Sequence, residues 1–138
     1  MIVYLMQREV ADRLAAAPGT KQYGALTVGV AVEATVERMF TVRAGSFRPP
    51  PKVESAVVRI VPREEPLIEE SERAGFRAFV TAVFSRRRKQ VTNALGAVPG
   101  LDPERIRAAL AALDISPSSR PEVLAPEVFV ALFRALVG

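Results

Sequence analysis

The feature that most constrains this fold is a change in apolar periodicity across an acidic, proline-containing stretch at residues 63–72. Before it, apolar residues form short Val- and Ile-rich runs that are typical of β-strands. After it, they recur every three or four residues, as they do along one face of a helix. The sequence therefore predicts an α/β part at residues 1–62, a linker at 63–70 and an all-helical part at 71–138.

The α/β part contains three strand-like segments. Residues 2–6 form a continuous apolar run, which is typical of a strand buried on both faces in a parallel sheet. A helix is predicted at 7–17, whereas 26–35 fits a strand and a helix equally well. Further strands are predicted at 36–42 and 55–61, and the loop between them is stiffened by three consecutive prolines.

The all-helical part carries recognisable start and stop signals. Ser71 is a candidate cap for its first helix, and Gly96 ends a second helix predicted at 86–95. Asp102-Pro103 is a cap followed by proline at the first helical position. The predicted inward faces of the first, third and last helices are Phe76, Phe79, Val80, Val83 and Phe84; Ile106, Ala109, Leu110 and Leu113; and Phe129, Leu132, Phe133 and Leu136.

Composition excludes several chemistries. The chain has no Cys, His or Trp, so it cannot form a disulfide, a Cys-based zinc site, a thiol nucleophile or a Ser-His-Asp triad. Lys and Arg number 19 against 15 acidic residues, and most of them are Arg, whose planar donor fork suits phosphate. A nucleic-acid partner and a generic basic protein both remain open. With no apolar run of membrane length and no signal-peptide pattern, we expect no membrane association and a cytoplasmic protein.

The proline loop is the first candidate site. Phe47 precedes the prolines, and Arg48 and Lys52 flank them. An aromatic face can stack on a nucleobase that is turned out of its strand, while neighbouring cations meet phosphates. The alternative interpretation is a turn that joins two strands and places Phe47 in the core.

Four consecutive cations, Arg86, Arg87, Arg88 and Lys89, form the second candidate site. At the predicted start of a helix they oppose its macrodipole, a cost that an anionic partner such as RNA would offset. Asn93 lies four residues after Lys89 and is expected on the same helix face. The alternative is a solvated run of charge.

A third segment, residues 18–24, contains Lys21 between two glycines. It lacks the spacing of a phosphate-binding P-loop, so a mobile surface loop with one lysine is the preferred interpretation. No G-x-G pattern follows a strand, and no recognisable nucleotide-cofactor motif occurs in the chain.

Four stretches together resemble the ribosomal RNA adenine N6-dimethyltransferase family, and most closely its bacterial small-subunit enzymes. The block F-R-P-P-P-K-V-E-S-A-V-V-R is specific, and its occurrence together with R-R-K-Q-V-T-N-A-L makes chance improbable. The four stretches lie at residues 7–14, 18–28, 46–59 and 84–95.

The resemblance implies the C-terminal part of a Rossmann-like methyltransferase domain followed by a small helical domain. It implies methyl transfer from S-adenosylmethionine to two adjacent adenines near the 3′ end of small-subunit rRNA, by an enzyme expected to be monomeric at full length. Phe47 matches the family's adenine-holding aromatic residue. The expected RNA contacts are Arg86, Arg87, Arg88, Lys89, Arg48, Lys52 and Lys21.

The family's G-x-G segment, acidic ribose-binding position and N-L-P-Y loop would all precede Met1. We therefore expect a fragment that lacks the cofactor-binding half, and neither binds S-adenosylmethionine nor methylates RNA by itself. Two alternatives remain: a non-catalytic RNA-binding module for ribosome assembly, and an erythromycin-resistance methyltransferase of large-subunit rRNA.

Overall fold

The computed structural model of the protein describes residues 1–46, 48, 49 and 52–138. The first part of this described chain holds three strands and two helices, and helices follow from residue 73 onward. The elements are β1 (Ile2–Gln7), α1 (Arg8–Leu14), α2 (Ala25–Ala31), β2 (Ala34–Val42), β3 (Ser55–Pro62), α3 (Arg73–Phe84), α4 (Val91–Leu95), α5 (Pro103–Ala112) and α6 (Pro126–Leu136), with 3₁₀ turns at Ala44–Ser46, Glu70–Glu72 and Pro121–Val123.

The sheet has the strand order β1-β3-β2, and β3 pairs antiparallel with both neighbours. Among the described residues the first strand therefore has one neighbour, and that pairing is antiparallel, while the expectation of a parallel, doubly buried strand stays a prediction for the whole protein. β1 is an edge strand whose side chains from Ile2 to Leu5 are 45–53% exposed. An apolar run shows only that a strand has no polar face, whereas burial requires elements that cover it.

Helix α1 covers one face of the sheet and forms a small core with it. Ala11 of α1 is fully buried against Ala56 and Val58 of β3. The pairing of β2 with β3 shifts register around Met39, which redirects the remainder of β2. On the opposite face Leu5, Val57 and Phe40 come into register, and both Leu5 and Phe40 are exposed.

A larger core lies among α2 and the later helices. Residues 26–35, which fitted both a helix and a strand, divide into the helix α2 and the start of β2. Val28 and Val32 are fully buried in the same core as α3–α6. In the segment at 63–70, Ile68 is buried, and the backbone N–H of Leu67 donates to the Val32 carbonyl at 2.8 Å. The division into parts at 1–62 and 71–138 stays a prediction.

The inward faces predicted for the later helices are buried, with two exceptions. Leu113 is exposed because α5 ends at Ala112, and Phe84 is half-buried at the end of α3. Asp102 caps α5 as predicted, since its side chain accepts from the backbone N–H of Glu104 at 2.7 Å. Ser71 does not cap α3, because it lies in a 3₁₀ turn and α3 begins at Arg73.

The four consecutive cations lie in a turn between α3 and α4, not at the start of a helix as predicted. We call residues 85–89 the basic turn. It follows directly on the C-terminus of α3, where unpaired carbonyls carry partial negative charge. Its charges therefore favour this helix end instead of opposing a helix start. Among the described residues, no helix is long and apolar enough to cross a membrane.

Candidate nucleic-acid interface

A cleft of about 800 Å³ opens where the loop after α1, the basic turn and the segment before α6 meet. Lys21 comes from the loop, and Arg87 and Arg88 come from the basic turn. The structure thus brings together residues that are 66 and 67 positions apart in the sequence. We call this the basic cleft. Its other charged lining residues are Glu9, Arg13, Arg120 and Glu122.

The basic cleft carries an excess of positive charge, with five basic side chains against two carboxylates. Both carboxylates are already paired, Glu9 with Arg13 at 2.8 Å and Glu122 with Arg87 at 3.0 Å. Within the described part of the chain, Lys21, Arg88 and Arg120 have no carboxylate partner, and all three are exposed. A cleft lined mainly by one sign of charge concentrates the field and attracts anions.

The loop at 18–24 is anchored, which corrects the expectation of a mobile surface loop. The Gly19 N–H donates to the Glu122 carbonyl at 2.6 Å, and the Tyr23 hydroxyl donates to the Leu124 carbonyl at 2.6 Å. Tyr23 is buried, and this burial, together with the charge of Glu127, raises the pKa of its hydroxyl above the ordinary value. The hydroxyl thus stays a donor, and Lys21 is presented from a fixed backbone.

One wall of the basic cleft is aromatic. Phe84 lines it, stacks on Phe129 with ring centroids 5.3 Å apart, and meets Tyr23 edge-on at 6.1 Å. Phe129 and Tyr23 are almost completely buried. Phe84 therefore joins the hydrophobic core to the cleft surface, so the basic turn that follows it starts from a rigid support.

A second cleft of about 430 Å³ continues from the first, since Glu9 and Gln22 line both. It reaches Val53 and Glu54 at the end of the proline loop. Glu54 is tied to the start of α1, because its carboxylate accepts from Arg8 at 2.9 Å. The two clefts thus form one path from the basic turn towards the proline loop.

The structure separates the other predicted site residues. Phe47 lies outside the described residues, while Arg48 and Lys52 are exposed in the proline loop and line neither cleft. Lys89 is also exposed and lies outside the basic cleft lining. Of the predicted RNA contacts, Lys21, Arg87 and Arg88 are brought together in the basic cleft, and the others do not line it.

Arg86 turns away from the basic cleft. Its guanidinium donates to the backbone carbonyl of Asn93 at 3.2 Å. Lys89 precedes α4, so the expectation that Asn93 and Lys89 share a helix face is wrong. The run of four cations therefore supplies two side chains, Arg87 and Arg88, to the cleft.

Sequence reasoning missed the other four charged lining residues of the basic cleft: Glu9, Arg13, Arg120 and Glu122. Arg13 lies four residues after Glu9 in α1, a spacing that is typical of a surface ion pair, and the two side chains form that pair. Arg120 and Glu122 flank Pro121, which opens a short 3₁₀ turn. That proline signals a turn but gives no indication that the turn meets the loop a hundred residues earlier.

The described residues hold no group of three or more acidic side chains that could bind a metal ion. Neither cleft is lined by a glycine-rich turn of the kind that approaches a dinucleotide. The chemistry that the basic cleft supports is recognition of a polyanion.

Comparison with known proteins gives a consistent result. Residues 1–133 match the family described as ribosomal RNA adenine dimethylase. The ribosomal RNA small subunit methyltransferase A of Geobacter metallireducens is 45% identical over 138 residues, which cover 99% of this chain and 50% of that protein. Its namesake from a Synechococcus species is 48% identical over 123 residues, covering 89% of this chain and 43% of the relative. The chain thus spans about half the length of the curated relatives it matches.

Two solved structures share the fold. A dimethyladenosine transferase from Plasmodium falciparum superposes with a TM-score of 0.77 at 27% identity, covering 96% of this chain and 55% of that one. The 23S rRNA methyltransferase ErmE superposes with a TM-score of 0.64 at 26% identity, covering 99% of this chain and 54% of that one. The three-stranded sheet and the helices that follow are therefore the C-terminal part of a Rossmann-like methyltransferase domain and its helical extension.

Proposed function

The chain belongs to the ribosomal RNA adenine dimethylase family, and we propose that the whole protein dimethylates N6 of two adjacent adenines near the 3′ end of small-subunit rRNA. S-adenosylmethionine would be the methyl donor. The observation that carries the proposal is the basic cleft, where Lys21 lies together with Arg87 and Arg88 and basic side chains outnumber carboxylates. The names of the relatives support a small-subunit target over a large-subunit one. We also propose that the whole protein is a cytoplasmic monomer that acts in ribosome biogenesis.

Within this protein, we propose that the 138 residues supply RNA binding and not the cofactor site. S-adenosylmethionine carries a cationic sulfonium, whereas the basic cleft is lined by five basic side chains, three of them unpaired in the described part of the chain. A site of this charge disfavours a cation and favours phosphates. The basic cleft therefore does not fit the cofactor, and the cofactor site is proposed to lie in the half of the relatives that this chain does not span.

Calorimetry with S-adenosylmethionine tests this division. We expect no heat of binding for the 138-residue chain at cofactor concentrations up to the millimolar range, and no methyl transfer to a small-subunit rRNA hairpin. Micromolar binding would contradict the proposal. The DNA upstream of the Met1 codon separates the two remaining functions, because an in-frame N-L-P-Y and G-x-G segment supports the enzyme. A stop codon there supports a non-catalytic assembly module.

Replacing Arg87, Arg88 and Lys89 together by Ala is predicted to weaken RNA binding and to flatten its dependence on salt. Each phosphate contact releases counterions and contributes about 0.7–0.9 to the slope of log affinity against log salt. The measurement is fluorescence anisotropy with a hairpin RNA that has two adjacent adenines. The double variant Arg77→Ala/Arg107→Ala removes exposed cations outside the cleft and should leave the slope unchanged. An unchanged slope in the triple variant would show that the side chains of the basic turn are solvated and do not contact RNA.

Phe47→Ala in the whole protein is predicted to reduce methyl transfer more than RNA affinity. A residue that holds only the turned-out adenine loses positioning of the target base, whereas phosphate contacts elsewhere keep the RNA bound. Methyl incorporation and hairpin affinity are measured on the same preparation. Phe40→Ala is the matched control, because it removes an aromatic ring of β2 that lines neither cleft. Equal losses of rate and affinity would assign Phe47 to binding.

A further inference from the structure

We propose that Arg8 is a positioning residue for the proline loop, residues 43–54, whose two ends it holds through Glu54 and Asp12. The inference rests on the proposed function, in which Phe47 of this loop holds the target adenine. Arg8 acts on the two ends of the loop, where β2 leads into it and β3 begins after it.

Arg8 fixes the end of the loop where β3 begins. It is the first residue of α1 and follows β1 directly, while Glu54 directly precedes β3. The Arg8 backbone N–H donates to the Glu54 carbonyl at 3.0 Å, and its Nη1 donates to Oε2 of Glu54 at 2.9 Å. Because Gln7 and Ser55 are paired in the sheet, the backbone bond continues the pairing of β1 with β3 by one residue. The side-chain bond gives Glu54 a second attachment.

Two further charged residues extend this attachment to the end of the loop that follows β2. Nε of Arg8 lies 3.7 Å from Oδ2 of Asp12, and Oδ1 of the same carboxylate lies 2.8 Å from Nε of Arg38. Arg38 belongs to β2 and also donates to the hydroxyl of Thr41, near the end of that strand. The register shift around Met39 lies between them, where β2 is redirected. Asp12 therefore connects Arg8 to the strand that leads into the loop.

These four side chains form a connected network instead of an isolated surface pair. Asp12 and Arg38 have side-chain exposures of 30% and 32%, and Nε of Arg38 is shielded from solvent. An isolated exposed ion pair contributes little, whereas charges in a network hold one another in one geometry. A cation in the first turn of a helix opposes the macrodipole, and the two carboxylates beside Arg8 offset that cost. Arg8, Asp12 and Glu54 also line the second cleft, at the side that reaches the proline loop.

The network acts on placement and not on the strength of RNA binding. Methyl transfer requires the target base at a fixed position, and a displacement of about 1 Å can cost about 100-fold in rate. Without the guanidinium of Arg8, the backbone bond to Glu54 remains, but the Glu54 side chain and Asp12 are no longer joined. We therefore expect the rate to fall while the affinity for RNA is kept.

Arg8→Gln in the whole protein is expected to lower kcat about three- to tenfold, with the KM for the hairpin RNA and the salt slope of binding unchanged. Arg8→Lys keeps a cation beside both carboxylates and should retain most of the rate. Glu37→Gln is the matched control, because it breaks an ion pair with Arg59 that joins β2 to β3 without contacting α1. Its kcat should equal that of the wild type.

Combining Arg8→Gln with Phe47→Ala tests whether Arg8 acts through the loop. If it does, the double variant should be slower than Phe47→Ala by less than about twofold, because the positioned side chain is already absent. Asp12→Asn breaks the network away from the helix start, and it replaces Arg8→Gln in this comparison if melting curves show that Arg8→Gln is unfolded.

An unchanged kcat, a raised KM or a smaller salt slope in Arg8→Gln would overturn the positioning role. Losses that multiply in the double variant would do the same, because they would show that Arg8 and Phe47 act independently. A wild-type whole protein that transfers no methyl group to the hairpin RNA would instead overturn the proposed function.

Discussion

Neighbouring arginines in this chain differ in their contacts, because each side chain lies beside different groups. Arg86 donates to the Asn93 carbonyl, Arg87 pairs with Glu122, and Arg88 faces the basic cleft without an ion pair in the described chain. Their sequence context is almost identical, since all three lie within four consecutive cations. Sequence could therefore predict a basic cluster, but not which of its members remain available to an anion.

Another arginine forms a two-point ion pair that links the start of α3 to α6. Arg134 donates to both carboxylate oxygens of Glu72, at 2.9 and 3.1 Å, and the Glu69 N–H adds a bond at 2.9 Å. These hydrogen bonds, those from Arg134 first, lower the pKa of Glu72 from 4.5 to about 2. The contribution of Glu72 to stability is therefore complete above pH 4.5 and is lost as the pH falls towards 2.

Glu72→Gln is predicted to lower the melting temperature at pH 6, and the difference from wild type should shrink steadily between pH 4.5 and 2. The reason is that wild-type Glu72 becomes protonated in this range and loses its charge-assisted bonds. Thermal unfolding is followed by circular dichroism at intervals of half a pH unit. Glu70→Gln, an exposed neighbour without an ion pair in the described chain, is the control and should show little difference at any pH. A constant difference for Glu72→Gln down to pH 2 would disagree with the assigned pKa.

At the scale of elements, local sequence signals predicted which segments are helical more accurately than where each helix begins or ends. The cap of α5 was predictable because Asp102 bonds to backbone groups two and three residues away. The predicted helix at 86–95 shortens to α4 at Val91–Leu95, since the basic turn precedes it. Helix propensity does not predict where α4 begins, because the basic turn before it is stabilised by contacts with a distant loop.

Asp102→Ala is predicted to destabilise the chain by about 1 kcal/mol, because two N–H groups at the start of α5 lose their acceptor. Chemical denaturation measures the free energy of unfolding. Asp102→Asn keeps an acceptor oxygen in place and should retain most of the stability. If both variants lost the same amount, the stabilisation would have to come from the charge of Asp102 and not from its hydrogen bonds.

At the scale of the whole molecule, apolar surface is unevenly covered. The helices and α2 bury large side chains such as Phe76 and Phe129 almost completely. The sheet leaves Val3, Leu5 and Phe40 half exposed on the face away from α1. An exposed apolar edge strand is a surface on which strands of other chains can pair.

Val3→Lys/Leu5→Lys is predicted to reduce self-association of the 138-residue chain, because charged side chains make the edge strand unfavourable for pairing. Light scattering over a range of protein concentrations measures the apparent mass. Val123→Lys changes an equally exposed apolar residue that lies outside the sheet, in a 3₁₀ turn, and should leave association unchanged. Association that persists unchanged in the double variant would show that another surface is responsible.

The sequence by itself determined the order of elements, the change from α/β to helical structure, and the residue types that make a polyanion partner reasonable. These follow from periodicity, caps and charge, which act over a few neighbouring residues. The tertiary structure decided that β1 pairs antiparallel with β3, that the loop at 18–24 is anchored, and that Arg120 and Glu122 join the basic cleft. The physical reason is that burial and ion pairing depend on residues up to a hundred positions away, and no local pattern records which of them meet.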